Sequence, residues 1–120
     1  MPVIHIRTNT HHNHQEIQSI CQQASRLASE ILGKPEHYVM ALVECNQTLS
    51  LAGDDNPAAY LEIKCLGLDE NRTDDFSRRI CLFMYQSMGI LPERCYIEFS
   101  SPHRHMWGWN NNTFAVKKSA

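Results

Sequence analysis

The sequence has little of what would mark a fibrous, nucleic-acid-binding or membrane protein. Glycine and proline each occur only five times in 120 residues, which excludes a collagen-like or low-complexity chain. The formal net charge of −2 gives no electrostatic attraction to nucleic acid. No apolar run approaches the ~18 residues of a membrane-spanning helix, and no basic-then-apolar signal segment opens the chain. We expect a cytoplasmic protein, or one released without a signal peptide, that binds neither nucleic acid nor membrane.

Cysteine is also too sparse for a disulfide framework. The five cysteines are odd in number, widely spaced and mostly set in apolar patterns, as reduced core residues are. They are Cys21, Cys45, Cys65, Cys81 and Cys95. With 42% hydrophobic residues and this length, we expect one domain over residues 1–120.

Histidines form two small clusters, one at residues 11–14 and the other at 103–105. A closed zinc site needs about four converging ligands, and neither cluster brings a cysteine or a carboxylate at ligand spacing. We therefore predict solvated loop histidines and no metal site.

An internal repeat organises the chain. Residues 35–40, Pro-Glu-His-Tyr-Val-Met, resemble residues 92–97, Pro-Glu-Arg-Cys-Tyr-Ile, which lie 57 positions later. The same shift brings the alternating segment 3–7 onto 60–64. The pseudo-repeats cover about 2–47 and 58–100, and a C-terminal segment, 101–120, follows them.

A helix is predicted between the matching strands of each repeat. In the first, apolar residues from Ile17 to Leu32 form one stripe, with Asn13 and Glu16 as a start signal and Gly33 as the stop. In the second, a stripe from Phe76 to Met88 follows acids that favour a helix N-terminus, and Gly89 ends it. Thr73 lies at the same N-terminal end.

Each repeat is thus strand–helix–strand, which predicts an α/β (α+β) fold with a four-stranded mixed sheet and both helices on one face. The strand at 39–43 reads Val-Met-Ala-Leu-Val without alternation, as strands buried on both faces do. One small domain has no spare layer for the second face, so we expect subunits to associate there. The alternative is a cap formed by the C-terminal segment.

Pro2 combines an unusual position with unusual chemistry. Removal of Met1 would leave its secondary amine at the start of the apolar strand 3–6. An apolar setting disfavours the protonated amine and lowers its pKa from an ordinary value of about 7.7–8.0. Such an amine is suited to general base catalysis at neutral pH. The alternative is an ordinary Met-Pro start.

The segment Trp107-Gly108-Trp109 and the Asn-Asn-Asn-Thr-Phe that follows point to a family. Together with Pro2, the Gly33-Lys34-Pro35 turn and Tyr96-Ile97 after a Pro-Glu-Arg turn, it resembles the macrophage migration inhibitory factor family of the tautomerase superfamily. The resemblance covers residues 2–115. It implies a homotrimer with an active site at each subunit interface, and catalysis without a cofactor.

The resemblance also implies roles for individual residues. Pro2 matches the family's general base and Lys34 its active-site lysine, suited to holding a carboxylate and polarising a keto group. Leu66 matches the position that supplies a backbone N–H donor. The pocket-lining aromatic residues match Tyr38, Tyr96, Trp109 and Phe114, with Tyr96 coming from the neighbouring subunit.

Three departures limit the resemblance. The Cys-x-x-Cys of some members is here Ala58-Ala59-Tyr60-Leu61, which removes the chemical basis for thiol–disulfide exchange. Glu98 replaces an asparagine of vertebrate members, and Trp107 replaces a small aliphatic residue. Both are expected at the pocket mouth and put the substrate preference of relatives in doubt. Glu98 pairing with Arg94 or Arg104 is the alternative.

These features together predict a keto–enol tautomerase for small aryl-pyruvate-like acids. The rival from another class is a cytokine-like or cytokine-mimicking interaction protein, with a protein receptor as partner and incidental tautomerase chemistry. A ferredoxin-like regulatory domain shares the two βα units but gives no reason for the terminal proline or Trp-Gly-Trp. The tail beyond Ala115 is expected on the surface.

Overall fold

Four strands form one mixed sheet in the computed structural model, which describes residues 1–116. They are β1 (Pro2–Thr8), β2 (Met40–Glu44), β3 (Ala59–Cys65) and β4 (Cys95–Ser100), in the spatial order β2-β1-β3-β4. β1 pairs with β2 and β3 with β4 in parallel, while the central β1–β3 pair is antiparallel. The predicted four-stranded mixed sheet is confirmed, and a helix connects the two strands of each parallel pair.

The first helix, α1 (His14–Leu32), begins and ends where the sequence predicts. The Asn13 side chain accepts a hydrogen bond from the Glu16 N–H at 2.8 Å, and the Glu16 carboxylate accepts one from the Asn13 N–H at 3.1 Å. This reciprocal capping box satisfies two otherwise unpaired donors. Gly33 ends the helix in the left-handed conformation at φ 64°, so the chain turns sharply into Lys34.

The second helix, α2 (Thr73–Met88), starts without a side-chain cap. Thr73 is its first residue, Arg72 occupies the capping position, and Asp74 and Asp75 lie in the first turn. Gly89 ends this helix at φ 68°, as Gly33 ends α1.

The hydrophobic core lies between the helices and one face of the sheet. Alternate strand residues point into it, and Ile4, Ile6, Leu61 and Ile63 are completely buried. They meet the apolar stripes of the two helices, whose buried members are Ile20, Ala24, Ala28, Ile31, Phe76, Ile80, Met84 and Met88.

The opposite face of the sheet is open in the single chain. Met40 is 65% exposed and Leu42 46%, because both helices cover the other side of the sheet. Burial of β2 on both faces requires the expected association of subunits and stays a prediction. The alternative of a C-terminal cap is wrong as far as residue 116, because the described part of that segment leaves Met40 and Leu42 exposed.

A small hairpin, not predicted from the sequence, closes the described chain. It consists of β5 (Gly108–Trp109) and β6 (Asn112–Thr113), which pair antiparallel through Asn110 and Asn111 at φ 52° and 66°. Asparagine tolerates this left-handed conformation better than most residues do. Val116 is 81% exposed, whereas the rest of the expected surface tail lies outside the described residues.

Candidate active site

Pro2 lies on a central strand, at one end of the sheet. It is the first residue of β1, its side chain is buried, and its register partner on β3 is Cys65. Leu66, the next residue after β3, is buried at 5% exposure. The predicted base and the predicted backbone donor therefore come from adjacent strands at the same sheet end.

Lys34 reaches this end from α1. Its backbone N–H donates to the Ser29 carbonyl at 3.2 Å, and the Ser29 hydroxyl donates back to the Lys34 carbonyl at 2.5 Å. These two bonds and the turn at Gly33 fix the start of the Lys34 side chain. Its charge lies close enough to help lower the pKa of the terminal amine and to oppose the rise that burial causes in the pKa of the Cys65 thiol.

Burial and nearby cations keep more of the terminal amine unprotonated at neutral pH. The free amine here belongs to Met1, one residue before Pro2. Its pKa lies below the ordinary value of 8.0, chiefly because of burial; Cys65 opposes this shift, while Lys34 and Arg104 add to it. Burial also raises the pKa of the Cys65 thiol, so this group favours its neutral form.

The C-terminal hairpin supplies an aromatic wall. Trp109 stacks on Phe114 with ring centroids 5.9 Å apart and ring planes 13° from parallel. Trp107, partly buried, lines a cavity of about 480 Å³ whose floor includes Val3 of β1. Its other lining residues are Lys64, Ser100, Pro102, Met106 and Gly108.

Two predicted site residues, Tyr96 and Glu98, lie apart from Pro2 in the single chain, whereas Tyr38 does not. Tyr38, 43% exposed, lies in the 3₁₀ turn Glu36–Tyr38, two residues before Met40, which is the register partner of Val3. Tyr96, 62% exposed, lies with Glu98 on β4. β4 is two strands away from β1, so Glu98 is displaced from Pro2 by roughly 10 Å across the sheet and roughly 10 Å along it. Glu98 is therefore out of contact with the Pro2 of its own chain.

Glu98 has a different partner from those considered in the sequence. The Tyr60 hydroxyl donates to its carboxylate at 2.8 Å, and this bond raises the pKa of Tyr60 to about 12. Arg94 instead pairs with Asp54 at 2.8 Å, and Arg104 donates to a backbone carbonyl. The proposed pairing of Glu98 with either arginine is therefore wrong within the chain.

Two residues that the sequence did not assign to the site are part of it. Cys65 is brought opposite Pro2 by the antiparallel register of β1 and β3, which the alternation of residues alone does not fix. Arg104 lies in the turn before β5, and its charge acts on the terminal amine. The sequence suggested Arg104 only as a possible partner of Glu98.

No group of three or more potential metal-ligating side chains occurs among residues 1–116, and all five cysteines are free thiols. Within the same range, neither helix has the length and apolar character that crossing a membrane requires.

The βαββαβ order, the mixed sheet and the buried proline at the sheet end define a tautomerase-type fold. Residues 1–115 match the family described as "Macrophage migration inhibitory factor (MIF)". The chain belongs to this family, whose members are tautomerases and cytokine-like proteins and are typically oligomeric.

Individual relatives extend over almost the whole chain. A macrophage migration inhibitory factor homolog of Trichinella spiralis is 30% identical over 116 residues, covering 95% of this chain and 100% of that protein. A Brugia malayi homolog is 28% identical over 115 residues, covering 95% and 99%. The crystal structure of a homologue from Prochlorococcus marinus superposes with a TM-score of 0.87 at 35% identity, covering 94% of this chain and 99% of that one.

Proposed function

We propose that this protein is a cofactor-independent keto–enol tautomerase for small aryl-pyruvate-like acids, with Pro2 as the catalytic base. One observation carries the proposal: Pro2 is buried at the end of the sheet, opposite Cys65 on β3 and next to the chain terminus. The pKa of the terminal amine at this place, that of Met1, is lowered chiefly by burial and further by Lys34 and Arg104. A base whose pKa approaches the working pH is the most effective proton carrier.

The reaction requires one proton to move between carbon and oxygen. The Pro2 amine removes a proton from the carbon beside the keto group, an enolate forms, and the resulting ammonium returns the proton to the oxygen. Lys34 and the Leu66 N–H stabilise the negative charge that develops on that oxygen. The aromatic wall of Trp107, Trp109 and Phe114 receives the aryl group.

We further propose a homotrimer in which each site is completed by a neighbour. Tyr96 and Glu98 lie on the edge strand β4, and the open sheet face carries exposed Met40 and Leu42 on β2, at the opposite edge. Association would bring these two β4 residues to another chain's Pro2 while covering apolar surface. Tyr38 would then line the pocket from its own chain.

The test is phenylpyruvate tautomerisation by Pro2→Gly. Glycine keeps a terminal amine but makes it primary and removes the buried ring, so we expect kcat/KM to fall at least about tenfold, a loss of roughly 1.4 kcal/mol of transition-state stabilisation. Intact mass must first show that Met1 is absent, because acylated Pro2 is no base. A kcat/KM of Pro2→Gly within about threefold of the wild-type value would contradict the proposal.

The second candidate, a cytokine-like interaction protein, is favoured by the names that the relatives bear. A macrophage migration assay on Pro2→Gly separates the two functions. Undiminished inhibition of migration by a variant without tautomerase activity would make the chemistry incidental. Loss of both tautomerase activity and inhibition of migration would show that the effect on migration depends on the tautomerase site.

A further inference from the structure

Arg104 is anchored to the aromatic wall of the site. It opens the 3₁₀ turn Arg104–Met106, and its Nε–H donates to the Phe114 carbonyl at 2.9 Å. Phe114 in turn donates its backbone N–H to the Trp107 carbonyl at 3.2 Å. The guanidinium is therefore fixed to the segment that carries Trp107 and Phe114.

The rest of the guanidinium has no anionic partner among the residues that the structure describes. Arg94 and Arg78 pair with Asp54 and Asp75, whereas no acid among residues 1–116 forms an ion pair with Arg104. An arginine presents five N–H donors in a planar fork, and only Nε–H is engaged here. The outer nitrogens can take a carboxylate in the bidentate geometry that guanidinium favours.

Arg104 and Lys34 approach the amine from different elements. Lys34 follows α1, whereas Arg104 opens the turn that ends at Met106, and Met106 lines a cavity together with Trp107 and with Val3, the neighbour of Pro2. The charges of Lys34 and Arg104 both act on the chain terminus. An α-keto acid offers two oxygen groups, a planar carboxylate and a keto oxygen that becomes an enolate. Two cations held by different elements of the fold can each bind one of these groups, one the carboxylate and the other the keto oxygen.

We propose that Arg104 binds the substrate carboxylate through its outer nitrogens, leaving Lys34 to stabilise the enolate oxygen. This assignment rests on the proposed tautomerase function, since it names the residue that selects anionic keto acids. Arg104 is then the group that discriminates phenylpyruvate from its neutral ester.

The first test compares Arg104→Gln on phenylpyruvate and on its methyl ester. We expect KM for the acid to rise about tenfold with kcat little changed, because the lost contact binds ground state and transition state alike. At a pH above the pKa of Pro2, where loss of the Arg104 charge leaves the amine unprotonated, kcat/KM for the ester should stay within about twofold of wild type, since the ester has no carboxylate to lose. Equal losses on both substrates would overturn the proposal, because they would show that Arg104 only holds Phe114 in place.

Two further variants separate charge from structure. Arg104→Lys keeps the cation but loses the guanidinium fork, so its KM for phenylpyruvate should lie between those of wild type and Arg104→Gln. Arg26→Gln is the matched control, since it loses the same charge at an exposed helix residue that forms no ion pair with any residue from 1 to 116. A rise in KM for Arg26→Gln equal to that of Arg104→Gln would overturn the proposal by showing a general charge effect.

Binding measurements keep the inference testable without turnover. 3-Phenylpropanoate cannot tautomerise, and its binding can be followed by tryptophan fluorescence. Arg104→Gln should weaken binding of this acid about tenfold and leave binding of its methyl ester unchanged. If the wild type binds the acid through Arg104 but does not turn over phenylpyruvate, the proposed function fails and the assignment of Arg104 stands. If Arg104→Gln binds the acid as tightly as wild type, the assignment fails whatever the activity.

Discussion

Glu98 is the side chain whose role depends most on what lies outside its own chain. Within the chain its carboxylate accepts the Tyr60 hydrogen bond, and no cation forms an ion pair with it among residues 1–116. If subunits associate as proposed, this negative charge faces a neighbour's Pro2 and Lys34. It would then repel an anionic substrate and favour the protonated amine, which raises the pKa of Pro2.

We predict that Glu98→Gln raises kcat/KM for phenylpyruvate, chiefly through a lower KM. A partly desolvated like-charge contact costs on the order of 1–2 kcal/mol, which corresponds to about tenfold. Activity requires the unprotonated amine, so it rises as pH increases through the pKa of Pro2. Removing Glu98 lowers this pKa, and the rise should move to lower pH. Steady-state kinetics over pH 5–8 measure both effects.

Tyr60→Phe provides the matched control, because it removes the hydrogen bond to Glu98 and leaves the charge. If the charge of Glu98, and not its hydrogen bond, lowers activity, kcat/KM of Tyr60→Phe should stay within about twofold of wild type. A Glu98→Gln enzyme with unchanged or lower kcat/KM and an unmoved profile would assign Glu98 to structure.

The sequence predicts the site residues that have a distinctive chemistry or local motif. It does not predict those that strand register or a turn brings to the site. Pro2 is marked by being next to the chain start, and Lys34 by the Gly-Lys-Pro turn that ends a helix. Cys65 and Arg104 carry no such mark, since they reach the amine through strand register and a short turn. These placements follow from long-range pairing, which local patterns do not encode.

Helix ends matter here because one of them positions a site residue. Gly33 and Gly89 end α1 and α2 in nearly the same left-handed conformation, with φ 64° and 68°. No atom lies within 4 Å of a Cβ added at either position, so a substitution meets backbone strain rather than a clash. Only Gly33 is followed by a site residue, Lys34.

We predict that Gly33→Ala and Gly89→Ala destabilise the fold equally but affect catalysis differently. Each substitution should cost about 1–2 kcal/mol, because a Cβ disfavours the left-handed conformation. Urea unfolding measures this cost. Gly33→Ala should also lower kcat/KM for phenylpyruvate at least about fivefold by displacing Lys34, since small misplacements of a catalytic group are costly. Equal kcat/KM for the two variants would contradict this positioning role of the turn.

Elements with a strong local signal were predicted well, and short elements were not. The stripes of α1 and α2, the capping box and the two glycine stops define the helices from nearby residues alone. The β5–β6 hairpin has strands of only two residues each, too short for any periodicity. Its turn is made by Asn110 and Asn111. The run of three asparagines to which they belong fits the family motif and gives no separate turn signal.

The sheet of the whole molecule has one covered face and one open face. The open face mixes apolar residues with charged ones, including a His5–Glu44 contact of 2.7 Å and a Glu62–Lys64 pair at 3.6 Å. Exposed Met40 and Leu42 lie on β2, at one edge of the sheet, while Tyr96 lies on β4, at the other. Apolar residues at opposite edges suit a ring in which β2 of one subunit meets β4 of the next.

We predict that the wild-type protein has three times the 13.8 kDa mass of one chain in light scattering, and that Leu42→Glu shifts it to the single-chain mass. Leu42 is 46% exposed in one chain, so glutamate is compatible with the subunit fold but places a charge in the proposed interface. Leu82→Glu on α2 is the matched control, because Leu82 is 52% exposed and lies on the helix side of the sheet. It should remain trimeric and active.

Leu42→Glu should lose phenylpyruvate activity together with association, since Tyr96 could no longer reach a neighbour's site. A wild-type mass near that of one chain would remove the trimer, and an active monomeric Leu42→Glu would show that each chain carries a complete site.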